Sequence, residues 1–226
     1  MNQPEIAAGA LLLRPWRRSD ADAVVRAWTD PDILRWGRYG AVVPDRDNVE
    51  SWIDWNHEQW RLGQRAGFAV CEADGPDLVG SIMLRDFARP GVPPQPGEAG
   101  EAGYWTMPER RGRGAAAAAL AALSGWAFEP ADRGGLGLRR VALRHSVRNP
   151  RSCRVATKAG FTCEGTMRES FRYADGDWHD EHLHARLWSD PTVAPERAAA
   201  VPSQNEARPQ SAEQDETRSS QSAEQG

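Results

Sequence analysis

Between Arg110 and Ala115 the chain reads Arg-Arg-Gly-Arg-Gly-Ala, and an alanine-rich run to Phe128 follows directly. Glycines two apart let the main chain turn tightly and approach a ligand. Successive N–H groups then converge, with the positive end of the following helix beneath them. That is chemistry for a phosphate or pyrophosphate. The amides concerned belong to Arg111, Gly112, Arg113, Gly114 and Ala115, and the arginine side chains of the loop can add charge. Residues 112 to 117 also satisfy the relaxed dinucleotide pattern G-x-G-x-x-A. That reading needs an acidic residue on the next strand to hold a ribose, and Arg139 to His145 offers none. A P-loop is excluded because Gly-Lys-Ser/Thr is absent. Taken alone, the segment also fits an Arg-rich turn that merely starts a helix.

Other reactive side chains point to fewer possibilities. His179, His182 and His184 lie close together, but only His182 and His184 share a strand face, and no cysteine or carboxylate completes a ligand set with them, so no metal is expected. Asp175, Asp177, Asp180 and Glu181 read as a solvated turn or as negative charge near an amine-binding mouth. Cys71, Cys153 and Cys163 are odd in number and have no C-x-x-C spacing, which argues against a disulfide framework and a zinc site. The ten tryptophans read as packing rather than as a stacking surface for bases or sugars.

The elements that must position the loop follow from periodicity. Ala10 to Trp16 reads as a strand; Ser19 then caps a helix whose Ala21, Val24, Val25 and Trp28 share one face. A second helix starts near Asp47 and turns Val49, Trp52, Ile53 and Trp60 to one side, after a polar loop containing Trp36, Gly37 and Gly40. Ala66 to Ala73 and Leu78 to Phe87 form a hairpin across Asp74-Gly75-Pro76-Asp77. The proline-rich stretch Arg89 to Gly97 excludes helix and central strand, and reads as a substrate-covering loop or a surface insertion. Glu101 to Met107 is a strand, Gly114 to Phe128 a helix, Arg139 to His145 a strand, and Asn149-Pro150 opens a short helix that Gly160 stops. Strands near Phe161 to Tyr173 and Trp178 to Leu187 close the fold. Mixed order of this kind implies an α+β or mixed-sheet domain rather than a doubly wound one.

The domain so read spans 1–190. After Asp190 the chain holds no Ile, Leu, Phe, Tyr or Trp, and repeats Gln-Ser-Ala-Glu-Gln. Residues 191–226 are expected to be a disordered low-complexity tail, because they cannot bury enough apolar area to offset their ordering entropy. This tail carries six acids against three arginines, so it accounts for most of the net charge of −4. A near-neutral body without a basic block gives no footprint for nucleic acid or an anionic membrane. No apolar run reaches the roughly 20 residues of a bilayer span, and Met1 to Gly9 lacks the order of a secretory signal, so a cytoplasmic location is expected. Of the 28 basic residues only Lys158 is lysine.

Residues 101 to 120, from Glu-Ala-Gly-Tyr-Trp-Thr-Met-Pro-Glu through the glycine loop to Leu120, closely resemble the fourth strand, pyrophosphate loop and third helix of GNAT acetyltransferases, in the manner of the RimJ/RimL-like branch. A second block, Asn149-Pro-Arg-Ser152, Lys158-Ala-Gly160-Phe161 and Glu164-Gly165, resembles that branch's Asn-x-x-Ser, Lys-x-Gly-Phe and Glu-Gly pattern. Glu109 departs from it, standing where the superfamily has Gln or Arg. The resemblance implies a GNAT-type mixed, mostly antiparallel central sheet flanked by about four helices, with acetyl-CoA as co-substrate. It implies that main-chain groups of Trp105, Thr106 and Met107 bind the pantetheine arm, that the amides from Arg111 to Ala115 take the pyrophosphate, and that Asn149 contacts pantetheine or amide groups. The acceptor it implies is a primary amine, on a peptide N-terminus or a small molecule, with the enzyme a monomer or homodimer.

Acetyl transfer from a thioester needs a neutral amine, donors for the developing oxyanion and a proton for the departing thiolate. Glu101 matches a position where family members carry a general base, or else orients the strand or binds a cationic substrate; Glu98 is a weaker candidate. The tyrosine that acts as general acid in many members is Ala156 here, which leaves Ser152 as the substitute, unless Ser152 simply caps or packs its helix. Positioning alone can also supply much of the rate. The alternative to an enzyme is a non-catalytic acyl-CoA-binding regulatory module that keeps the fold.

Overall fold

The computed structural model describes residues 3–37, 45–87 and 99–193. The proline-rich stretch, Glu98, Gly40 and the expected tail beyond residue 193 lie outside the described residues. Eight strands form one sheet in the order β1-β2-β3-β4-β5-β6-β8-β7. They are β1 (Ile6–Ala8), β2 (Leu11–Pro15), β3 (Arg65–Glu72), β4 (Leu78–Arg85), β5 (Ala99–Thr106), β6 (Arg140–Ser146), β7 (Thr162–Arg172) and β8 (Trp178–Leu187). Every neighbouring pair is antiparallel except β5 and β6, which run parallel. The mixed α+β architecture expected from the sequence is therefore present.

Five helices are described rather than four: α1 (Ala21–Trp28), α2 (Pro31–Trp36), α3 (Arg46–Arg61), α4 (Ala115–Phe128) and α5 (Pro150–Lys158). The segment read as a loop contains α2. Its signal was in the sequence, because Asp30 caps the helix by accepting from the Ile33 amide at 2.9 Å and Pro31 occupies the first turn, where a missing N–H is harmless. Strand β1 is also additional. The expected Ser19 cap is replaced: Asp20 precedes α1, and its carboxylate goes instead to Arg14 (2.7 and 2.8 Å) and the Arg17 amide (2.8 Å). Helix α3 starts one residue earlier than expected, capped by Asp45, which accepts from the Asn48 amide at 2.8 Å.

The two faces of the sheet bury separate cores. On one face, Phe68, Val70, Ile82 and Leu84 pack against Leu120 and Leu123 of α4 and Ala156 of α5. On the other, Trp16, Ala69, Cys71 and Trp105 pack against Val24 and Trp28 of α1 and Val49 and Ile53 of α3. Alternate residues of β3 thus face opposite cores, as the two-residue period of a strand requires. Trp16, Trp28 and Trp52 meet edge-to-face at 5.0 and 5.1 Å, so this group of tryptophans serves packing.

β4 and β5 lie unusually close at Gly80. A Cβ there would fall 2.3 Å from the Trp105 carbonyl oxygen and 3.1 Å from the Thr106 Cα. Only backbone movement of β5 could relieve that clash. Gly80→Ala is therefore expected to cost about 1–3 kcal/mol, the usual range for overpacking, measured as a lowered denaturation midpoint with an unchanged slope in urea.

Candidate active site

The parallel pairing of β5 with β6 covers only Ala99–Ala102 against Arg140–Leu143. Beyond it, β5 continues to Thr106 beside β4, and β6 continues to Ser146 beside β8. The sheet splits there. A cleft of about 1350 Å3 opens at the split, lined by Gly103 to Thr106 of β5, Leu143 to Ser146 of β6, the start of α4 and the first turns of α5. This exceeds the roughly 300–1000 Å3 of a pocket for one drug-sized molecule, so there is room for an extended arm and a second reactant.

Antiparallel alternation decides which main-chain groups of β5 face the opening. The Met107 amide donates to the Val79 carbonyl at 2.9 Å, so Met107 and every second residue before it, including Trp105, turn their main-chain groups to β4. Those of Tyr104 and Thr106 point toward the split. Of the three residues expected to hold an arm, Thr106 turns its main-chain groups toward the split, as Tyr104 does, whereas Trp105 and Met107 turn theirs to β4. The one-residue offset is invisible without the register.

The glycine loop forms as expected. Gly112 and Gly114 have φ of 78° and 81°, a left-handed conformation that costs glycine nothing, and Gly114 is the residue that leads into α4. The first main-chain bond into this helix runs from the Ala118 amide to the Gly114 carbonyl at 3.0 Å, as at any helix start whose leading amides await a partner. The Arg111 amide donates to the Pro108 carbonyl at 3.3 Å, which commits the first of the five loop amides expected to take a pyrophosphate. Two of the loop's three arginines are otherwise committed. Arg111 pairs with Asp30 and Asp32 of α2; Arg110 pairs with Glu72 (2.5 Å) and Asp77 (2.9 Å). Arg113 is exposed and is not part of the cleft lining. Main-chain dipoles, rather than these side chains, are what the loop would offer an anion. The cationic lining of the cleft is arginine throughout, except for Lys158.

Asn149 caps α5, its Oδ1 accepting from the Ser152 amide at 3.3 Å, which leaves its side-chain NH2 for a ligand in the cleft. Ser152 is buried in the next turn, and its Oγ lies 2.8 Å from the Tyr104 hydroxyl. Burial pushes the Tyr104 phenol up to about 12, against a smaller opposite effect of the Ser152 contact, so the pair is protonated at neutral pH. Tyr104 was not singled out in the sequence. Its signal was parity: it lies on the opposite face of β5 from Glu101 and Trp105, toward α5. Ala156 is fully buried, so the position where the family resemblance would place a tyrosine is filled here by core packing.

Glu101 stands at the last stretch of β5–β6 pairing, on the face covered by α1–α3. Its Oε1 accepts from Arg85 of β4 at 2.6 Å, and its Oε2 accepts from Nε and Nη2 of Arg144 of β6. Two readings of the C-terminal strands need correction. Glu181 is not a solvated turn residue; it is fully buried and accepts from Tyr173 and Ser170, each at 2.8 Å. A cysteine does join the histidines, since Cys153 of α5 lies 3.5 Å from His184 and 3.8 Å from His182. His179 is elsewhere, between Ser146 Oγ (2.8 Å) and Asp175 (3.0 Å).

Residues 10–162 match the model of the acetyltransferase (GNAT) domain. The chain belongs to the GNAT family of acetyltransferases. It is 25% identical to the uncharacterized N-acetyltransferase YoaA of Bacillus subtilis over 187 residues, which is 80% of this chain and 96% of that protein. Among solved structures it is similar to Mycobacterium smegmatis RimJ in complex with CoA-disulfide (TM-score 0.68, 25% identity, 82% of this chain and 88% of that one). It is similar in fold to the ribosomal-protein-S5-alanine acetyltransferase of Vibrio fischeri (TM-score 0.68, 18% identity, 83% and 98%) and to RimL, the ribosomal L7/L12 alpha-N-protein acetyltransferase, in complex with coenzyme A (TM-score 0.66, 22% identity, 81% and 98%). The chain is thus an acyltransferase. Among the described residues, no helix is long and apolar enough to cross a membrane.

Asp30 links α2 to the loop of this GNAT domain. Burial works to raise its pKa, but the bonds from Arg111 and the Ile33 amide outweigh burial and hold it below its ordinary 3.8. A depressed carboxylate stabilises the fold above its unfolded pKa and loses that contribution as pH falls through the folded value. Asp30→Asn keeps the helix cap and removes the charge. It is expected to cost about 1 kcal/mol, discounted for the partial exposure of Arg111, with a stability deficit constant from pH 5 to 8 and vanishing below pH 3.8. Paired thermal melts across that range check it.

Proposed function

We propose that the cleft binds acetyl-CoA from the α4–α5 face and a primary amine from the α1–α3 face, and that the amine attacks the thioester directly in a ternary complex. The single observation that carries this reading is the split between β5 and β6, flanked by an anion-binding helix start and by the Tyr104–Ser152 pair. The main-chain groups of Tyr104 and Thr106 take the pantetheine arm as an added strand would, the amides from Gly112 to Ala115 take the pyrophosphate, and the NH2 group of Asn149 reaches the arm's amides. The amine nitrogen bonds to the carbonyl carbon, the C–S bond breaks, and the electron pair leaves on sulfur. Ser152 delivers a proton to that thiolate and is resupplied by Tyr104, which regains one from water in the cleft. The amine's own proton leaves to water in the cleft. Glu101 serves as the counter-charge that fixes Arg85 and Arg144 beside the entering amine.

A peptide N-terminus is the favoured acceptor, because RimJ and RimL are among the similar structures and RimL is described as an alpha-N-protein acetyltransferase. A small-molecule amine is the second reading, and a non-catalytic acyl-CoA-binding module the third. A panel of N-terminal peptides, amino acids, polyamines and aminoglycosides, followed by thiol release from acetyl-CoA, separates them. Turnover confined to peptides supports the first and turnover confined to small amines the second, whereas tight cofactor binding with no turnover on any amine defeats both.

Variants then test the roles. Ser152→Ala and Tyr104→Phe should each lower kcat about 10- to 100-fold, at or below the usual contribution of a general acid, and the double variant should fall little further, because the two act as one unit. Full additivity would separate them. Glu101→Gln should lower kcat while keeping the acidic limb of the pH–rate profile; loss of that limb would make Glu101 the proton acceptor.

A further inference from the structure

Three imidazoles and a thiol converge beneath the first turn of α5. His145 of β6 pairs directly with His182 of β8, and His184 stands two residues along β8 on the same face. Cys153 of α5 reaches down to them. One donor atom from each of the four residues lies within 4.8 Å of all the others. We propose that His145, Cys153, His182 and His184 form a zinc site, independent of the acetyl-transfer chemistry.

The spacing suits an ion as well as it suits direct S–H···N bonding. Zinc–sulfur and zinc–nitrogen bonds of about 2.3 and 2.0–2.1 Å in a tetrahedron place sulfur and nitrogen about 3.5 Å apart. Cys153 Sγ lies 3.5 Å from His184 Nε2 and 3.8 Å from His182 Nδ1. The rings of His145 and His184 stack at 5.2 Å, and those of His145 and His182 meet edge-to-face at 5.6 Å. The orientation of His145 is already fixed. Its Nδ1 lies 2.9 Å from the Ser146 carbonyl and must donate to it, which leaves the lone pair on Nε2. That Nε2 is buried and has no hydrogen-bond partner among the described residues, in a side chain only 6% exposed. Burial also lowers the pKa of His145 and of His184, in keeping with neutral, ligand-ready rings. Three imidazoles, a thiolate and no carboxylate select a borderline ion such as zinc over magnesium or calcium. Four protein donors leave no open position, so the ion is structural.

The other group of possible donors, Asp175, Asp177 and His179, is different. His179 is already bonded through both ring nitrogens, and the guanidinium of Arg148 lies 3.3 Å from Asp177. A cation of the protein's own stands there. In the first group, by contrast, the ion would fasten Cys153, and with it the adjacent Ser152 and Asn149, to β6 and β8.

Cobalt(II) titration of the full-length, chelator-treated protein tests this. The expected result is one equivalent bound, with intense tetrahedral d–d bands and a thiolate-to-cobalt charge-transfer band, all displaced by zinc. Cys153→Ser should abolish the charge-transfer band, Cys153→Ser and His182→Gln should each weaken binding at least tenfold, and zinc should raise the wild-type Tm but not that of the variants. No tetrahedral spectrum in the wild type overturns the site without recourse to any variant. Unchanged stoichiometry and spectrum in both variants overturns it equally, by placing the ion elsewhere.

Discussion

Two neighbouring strands of this sheet stop pairing halfway along, and the rest of the molecule is arranged around that parting. A gap inside a sheet leaves main-chain groups of two central strands without partners, a cost that an edge normally avoids by lying at the surface. Glu101 sits at the fork, joined to Arg85 on one neighbouring strand and Arg144 on the other. A carboxylate between two guanidinium groups spans β4, β5 and β6 where the hydrogen-bond ladder gives out. The tight approach at Gly80 holds β5 to β4 on the remaining side. β5 is thus held in register with β4 where it parts from β6.

The parting also connects the two faces. Tyr104, Ser152 and the histidine–cysteine group lie toward α4 and α5, whereas Glu101, Trp52 and Trp105 lie toward α1 and α3. A thioester can enter from one layer and meet an amine from the other without either reactant crossing a core. Helix α2 bridges the layers, since Asp32 binds Arg111 of the loop and Arg151 of α5 (3.4 and 3.1 Å).

Local signals made much of this legible in the sequence. The glycine loop, the alanine helix and the Asn149–Pro150 start were all readable, because each depends on backbone conformation or capping that a few adjacent residues determine. What was not readable depends on partners distant in sequence. Tyr104 meets Ser152 across 48 residues, and Arg111 meets Asp30 across 81. Nothing local announces either. Which main-chain groups of β5 face the split was displaced by one from the sequence reading, because strand parity, unlike strand existence, is set by the neighbouring strand. His182 and His184 could be placed on one face, but Cys153 arrives from a helix whose packing angle the sequence does not encode locally.

Lysine is nearly absent along the whole chain, and that would have a chemical consequence for a cleft holding the acyl donor proposed above. A thioester close to many ε-amines would be at risk of capture by the protein itself. Guanidinium groups stay protonated at any physiological pH and offer no lone pair to a carbonyl. Arginine thus lets the cleft carry positive charge beside the bound donor while remaining chemically silent toward it, with Lys158 the single exception in the lining. On the proposed reading, such a wall would be passed over by the reagent it holds.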